Sequence, residues 1–246
     1  MPDEAIYVFL DFDDTLSDMR RLRPQLIDES AELLARFGAT REAWAQAVAL
    51  ALDRSVARYT ERFTADPTAE YVTWLDDERT RIGEDLFAAV GVAPPPNEPL
   101  GAIVKRMTFD ALAYCNAAFP NAENALRELF EMGVRTQTAS AQDSDYLLAA
   151  LIGARLESYT ESKFGPDLIN CAKESPHFYT RVFSACGIHP GQAIVVDDQP
   201  ICLRWAQEAG AHVVHARVAP DCPPAACEHT LTDLRDLPDL VRGISP

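Results

Sequence analysis

The sequence predicts an α/β fold: a Rossmann-like three-layer α/β/α core with a parallel sheet, carrying an inserted all-helical cap. Three observations point there. Residues 6–10 form an uninterrupted apolar, β-branched and aromatic run, which reads as a strand buried on both faces. From about residue 120 onward, short apolar runs alternate with helical stripes, the pattern of βαβ units and a mostly parallel sheet. Between these two regions, residues 25–115 follow a helical period throughout.

Taken in order, residues 17–24 have mixed polarity with several arginines and read as a loop after the first strand. Leu26, Ser30, Leu33, Leu34 and Phe37 form a helical stripe that Gly38 stops. Thr40 caps the next helix, whose stripe runs Trp44, Val48, Leu52, Val56, Tyr59, Phe63. Asp66-Pro67 is expected to start a third helix through Tyr71, Trp74, Leu75 and Ile82. Prolines 94–96 and 99 break the pattern before a stripe of Leu100, Ile103, Val104 and Met107. Strands are then expected at 134–139, 167–170, 193–196 and 212–215. Helices lie between them, around Leu126–Leu129, Leu147–Ile152, Phe178–Phe183 and 201–209. The expected division is a core of residues 1–17 and 116–246 and a cap of 18–115, set at the carboxyl edge of the sheet where such folds place their sites.

A formal net charge of −16 excludes an electrostatic nucleic-acid binder and docking on anionic membrane. No apolar run approaches the roughly 20 residues that span a bilayer, and the N-terminus lacks the basic region of a signal peptide. The expected compartment is therefore the cytoplasm. Six scattered cysteines suit packed, reduced thiols, and the spacing of Cys222, Cys227 and His229 matches no common zinc site. Oligomeric state leaves no trace in the sequence.

Directly after the first strand stands Asp11-Phe12-Asp13-Asp14-Thr15-Leu16. Carboxylates crowded at a strand end repel and raise one another's pKa unless a cation sits among them. A divalent, oxygen-seeking ion, most simply Mg2+, with a phosphate handled beside it makes chemical sense of the crowding. Farther on, Ser140 ends the 134–139 strand. Lys173, one of only three lysines, opens Lys173-Glu174-Ser175-Pro176-His177-Phe178-Tyr179, and Val195-Val196-Asp197-Asp198 is a buried strand closing on paired acids.

These four segments, in this order, resemble the signatures of the haloacid dehalogenase superfamily, phosphatase type with a helical cap. The matches are to its D-x-D-x-T motif, its Ser or Thr after a later strand, its K-P-x-P-x-x-Y segment (with Glu174 in place of the first proline) and its terminal acidic pair. The resemblance implies that Asp11 is the nucleophile and forms an aspartyl-phosphate. Asp13 would protonate the leaving oxygen and then deprotonate water, its backbone carbonyl reaching the metal. Ser140 would hydrogen-bond the phosphoryl group and Lys173 would neutralise it. Mg2+ would be held by Asp11, Asp13, Asp197 and Asp198, with Asp198 direct and Asp197 direct or through water. The implied activity is Mg2+-dependent hydrolysis of a small phosphorylated metabolite.

A phosphomutase shares this set, but its sugar-phosphate members carry a Gly-x-Ser-Arg-like element in the cap that is absent here. A haloacid dehalogenase lacks the second aspartate, so Asp13 counts against that activity. Phosphonate hydrolysis uses a lysine early in the cap, whereas Lys105 is late. A catalytically silent binding module is the reading from another class. Asp14 is expected only to open a turn and Thr15 to fix the loop, while Thr138 and Lys163 are the competitors of Ser140 and Lys173. For a second anionic group on the substrate, Arg20, Arg21 and Arg23 are better placed than Arg54, Arg58 and Arg62, whose spacing also suits a solvated, ion-paired face. Trp44 and Trp74 read as core.

Overall fold

The computed structural model describes residues 5–244. Six strands form one sheet: β1 (Tyr7–Leu10), β2 (Arg135–Ala139), β3 (Lys163–Phe164), β4 (Ala193–Asp197), β5 (His212–Ala216) and β6 (His229–Leu231). Their order is β3-β2-β1-β4-β5-β6 and every neighbouring pair is parallel. From β1 the chain steps first toward β2 and β3, and later crosses back to β4 on the other side. That reversal leaves a crevice at the carboxyl ends of β1 and β4, the place where ligands bind in open α/β sheets.

The pleat of β1 sorts its side chains into two layers. Val8 and Leu10 pack with Ile194 and Val196 against α5 (Ala122–Glu131), α6 (Ser144–Ala154) and α10 (Leu237–Ile244). Tyr7 and Phe9 pack with Ala193 and Val195 against α8 (Pro176–Cys186) and α9 (Pro200–Glu208). Both faces of the sheet are thus covered, which is why its central strands carry no polar alternation.

Four helices form the block after β1: α1 (Met19–Leu34), α2 (Arg41–Ala65), α3 (Tyr71–Val90) and α4 (Leu100–Tyr114). They bury their own cluster around Leu34, Trp44, Val48, Leu86, Phe87 and Ile103. Thr40 caps α2 by accepting from the Ala43 amide, as its position predicts. The chain enters and leaves this block side by side: the Asp18 amide donates to Ala117 O and the Phe119 amide to Leu16 O, both at 2.9 Å.

Three local expectations are corrected. Residues 17–24 are largely helix, because Asp18 caps α1 through the Arg20 amide, Asp14 Oδ1 accepts from the Met19 amide, and Leu22 and Leu26 bury on one face. Asp66 does not start α3. It closes a turn on Thr68, and α3 begins at Tyr71, capped from the other side of the molecule by Asn170. Residues 167–170 are not a strand but belong to a single helical turn, α7 (Pro166–Ile169), while the strand beside β2 is β3. Strand β6 and helix α10 lie beyond the last strand the sequence made visible.

Candidate active site

The candidate groups Asp11, Ser140, Asp197 and Asp198 stand at the carboxyl ends of β1, β2 and β4, and Lys173 enters from the segment between α7 and α8. The Asp11 amide continues the ladder by donating to Val196 O at 2.9 Å, so its carboxylate stands over the β1/β4 crevice. A tight turn follows: the Leu16 and Ser17 amides both donate to Phe12 O, and Asp14 adopts a positive φ of 55°. Asp14 is spent on that turn and on α1, in keeping with a structural role. Thr15 is fully buried in it.

Lys173 is the electrostatic centre. Its Nζ donates to Asp11 Oδ1 at 2.8 Å, to Ala139 O at 2.8 Å and to Asp197 Oδ2 at 2.7 Å, and the side chain is almost entirely buried. Burial opposes its charge, but the Asp11 and Asp197 carboxylates outweigh burial and hold the ammonium well above its ordinary pKa. Asp197 also accepts from the Gln199 amide at 2.8 Å, with Tyr179 Oη 3.4 Å away. Burial raises the pKa of Asp197 and the Lys173 ammonium opposes that rise.

Asp198 has no such cation. Burial, then Asp11, then Asp197 push it up to about 8, and its carboxylate accepts from the Gln199 side chain. Its carbonyl faces His215 Nε2 at 3.2 Å and Cys222 Sγ at 3.3 Å. Asp13 is pushed up to about 7, by burial first and the Asp11 charge second. Its Oδ2 accepts from Gln142 Nε2 at 2.7 Å, while Oδ1 is buried without a protein partner. With Oδ2 accepting from Gln142, Oδ1 is the oxygen left open to exchange a proton.

Ser140 lies buried at the end of β2, and the wall of one small cavity is shared by Asp11, Asp13, Ser140, Lys173, Asp197 and Asp198. All six residues expected at the site therefore converge. The helix after Ser140 does not offer a free N-terminus, however. Asp143 accepts from the Tyr146 amide and Asp167 from the Ser144 amide, so acids already cap α6. Thr138 is buried one pleat step back, and Lys163 binds the Thr160 and Glu161 carbonyls away from the site. Four of the six arginines considered for a second anion are ion-paired, Arg20 with Asp18, Arg23 with Asp53, Arg54 with Asp85 and Arg58 with Glu78, and Arg21 reaches the Asn116 carbonyl at 3.5 Å.

No role is legible in the sequence for Gln142, Gln199 or the motif's Tyr179, whose side chains contact Asp13, Asp198 and Asp197. Their signal is positional: each sits within a few residues of a motif acid, base or serine.

Asp11, Asp197 and Asp198 offer ligand atoms within 4.8 Å of one another, the only such group of three or more His, Cys, Asp or Glu side chains among the described residues. With all three ionised, Lys173 leaves an excess of two negative charges. An all-oxygen donor set carrying that excess, beside the unpartnered Asp13 Oδ1, fits a hard divalent cation such as Mg2+. Cys222 and Cys227 are instead paired with His215 and the Val213 carbonyl, and all six cysteines are free.

The family model for haloacid dehalogenase-like hydrolases matches residues 7–210, a span that runs from β1 past the acidic pair. The chain belongs to this family. As a haloacid dehalogenase-like hydrolase it shares its fold with solved structures at low identity. A defluorinating L-2-haloacid dehalogenase is 20% identical with a TM-score of 0.69, covering 97% of this chain and 95% of that one. The L-2-haloacid dehalogenase of Xanthobacter autotrophicus, with chloropropionic acid covalently bound, is 18% identical with a TM-score of 0.59, over 97% and 99% of the two chains. A HAD phosphatase from Thermococcus onnurineus is 16% identical with a TM-score of 0.62, over 98% and 100%. No curated protein sequence matches the chain significantly. Among the described residues, no helix is long and apolar enough to cross a membrane.

Proposed function

We propose that this hydrolase is a Mg2+-dependent phosphomonoesterase acting on a small metabolite through an aspartyl-phosphate on Asp11. The observation that carries the reading is the convergence of Asp11, Asp197 and Asp198 on one point beside Lys173. When bound there, the ion would be held by these three carboxylates, with the Asp13 carbonyl as the further ligand the family resemblance suggests, and would offset phosphate charge. Lys173 holds Asp11 in place through its Oδ1 and stands ready to neutralise a phosphoryl oxygen. Asp13 supplies the proton from Oδ1 to the departing alkoxide, and the resulting carboxylate then takes a proton from water.

Asp13 also supports this reading over halide displacement. Several structural neighbours are dehalogenases, but a halide is the anion of a strong acid and leaves without a proton. A buried carboxylic acid has no proton to give in halide departure, whereas an alkoxide cannot leave without one. The test is a panel of phosphorylated metabolites and 2-haloacids, assayed for phosphate and halide with Mg2+ or EDTA, beside Asp11→Asn. Phosphate release should need Mg2+ and fall at least about a thousandfold in the variant. Halide release without phosphate release would overturn the assignment, and a rearranged phosphosugar in place of free phosphate would make the enzyme a mutase.

A further inference from the structure

We infer that the cavity between cap and core receives the alcohol part of the substrate, and that this part is an uncharged aromatic group. The inference rests on the phosphomonoesterase reading and adds the substrate class. The cavity measures about 330 Å3 and shares Ala141 with the catalytic cavity. Gln142, next in the chain, lines it and donates to Asp13. A phosphate on Asp11 with Asp13 behind its ester oxygen would therefore direct the rest of the molecule past this turn.

The wall is mostly apolar and aromatic, with Val56, Tyr59, Trp74, Ile82, Met107 and Phe109 among its members. Val56 is 64% exposed although it continues the apolar stripe of α2. Such a side chain gains from an apolar ligand laid against it. Tyr59 and Trp74 are meanwhile fixed edge to face, their ring centroids 5.7 Å apart, which presents a rigid aromatic surface.

Charge decides the rest. Every charged side chain on this wall already has a partner. Arg79 binds Asp143 at 3.1 Å and Asp145 at 3.2 Å, Lys105 binds Asp145 at 2.7 Å, and Glu78 holds Arg58 at 2.6 Å. A second phosphate or a carboxylate entering here would have to break one of these pairs and would meet three acids. A substrate with one phosphate and an uncharged body meets no such cost.

The experiment compares 4-methylphenyl phosphate with 4-carboxyphenyl phosphate and methyl phosphate, in the full chain with Mg2+. The first two differ in charge rather than shape, and the carboxyl compound has the better leaving group, so chemistry alone favours it. The inference expects kcat/KM at least about tenfold higher for 4-methylphenyl phosphate, carried by KM. Val56→Asp should lower the ratio of 4-methylphenyl to methyl phosphate about tenfold. Separately, 4-methylphenol should quench tryptophan fluorescence where 4-hydroxybenzoate does not, and Trp74→Phe should remove that quench. Equal turnover of both aryl esters, or a ratio unmoved by Val56→Asp, would overturn the inference while leaving the phosphomonoesterase intact. Quenching by 4-methylphenol without phosphate release from any ester would instead keep the cavity and remove the phosphomonoesterase.

Discussion

The catalytic floor and the cap cavity meet at Ala141 and are made of opposite materials. The floor is a knot of carboxylates around one buried ammonium, held rigid by backbone amides and by Gln142 and Gln199. The cavity is lined by the stripes of four helices, and its charges are cancelled within the wall. The floor can hold a cation among its carboxylates, and the proposed reading places an apolar body in the cavity. The difference teaches that reactivity and specificity are separable here: altering the floor should change kcat and metal dependence, altering the wall should change KM.

The largest expected effect comes from Asp13→Asn. It should slow the first turnover of alkyl phosphates about 10²- to 10⁴-fold, with a far smaller loss in the burst of nitrophenol from 4-nitrophenyl phosphate, whose anion leaves unaided. A uniform loss across leaving groups would show that Asp13 is not the acid. Next comes Lys173→Met in EDTA, which strands the Asp11 and Asp197 carboxylates in the interior. Urea unfolding should show a loss of about 3–5 kcal/mol, and added Mg2+ should restore part of it.

The floor also predicts a pH dependence that the wall does not. Asp13 and Asp198 hold their protons up to about 7 and about 8 in the folded protein, against 3.8 for an unperturbed aspartate. Between those limits the folded state binds more protons than the unfolded chain, so metal-free stability must fall as pH rises. The two shifts set that loss at up to about 6 kcal/mol from pH 5 to 8 in EDTA, roughly 12–24 °C in Tm for a chain of this size. Mg2+ should reverse it, with its stabilisation growing toward pH 8. A metal-free Tm that rises over this range would contradict the assigned burial of these acids.

The smallest effect concerns how the wall is held over the floor. Asn170 Oδ1 accepts from the Tyr71 and Val72 amides at 2.8 and 3.0 Å, so a core residue caps a cap helix. Asn170→Ala should cost about 1 kcal/mol and weaken binding of aryl esters through KM, with kcat little changed.

This division also explains what the sequence made legible. The floor's acids lie at strand ends, where Asp11, Asp197 and Asp198 each follow an apolar run, and Lys173 opens a short motif that local pattern exposes. The cap stripes, including Trp44 and Val48, were equally plain because helical period is local. What stayed hidden depends on distant contacts. Asn170 capping α3, Asp167 accepting from the first amide of α6, and Arg58 pairing with Glu78 all join residues about 20 to 100 positions apart. Mixed polarity and several arginines made residues 17–24 look like loop because composition is local, while the burial of Leu22 and Leu26 against the fold is not. Glycine gives a similar case: a Cβ on Gly165 would lie 2.2 Å from the Gln142 carbonyl, so this glycine lets the turn joining floor and wall pack down.

The most direct test of the floor is chemical. Asp13→Asn, mixed with 4-nitrophenyl phosphate and Mg2+, should release about one equivalent of nitrophenol and stall, because no base remains to activate water. Acid quenching and peptide mass spectrometry should then find one phosphoryl group on the peptide carrying Asp11. Turnover with no such adduct, or a phosphoryl group on another peptide, would contradict the account.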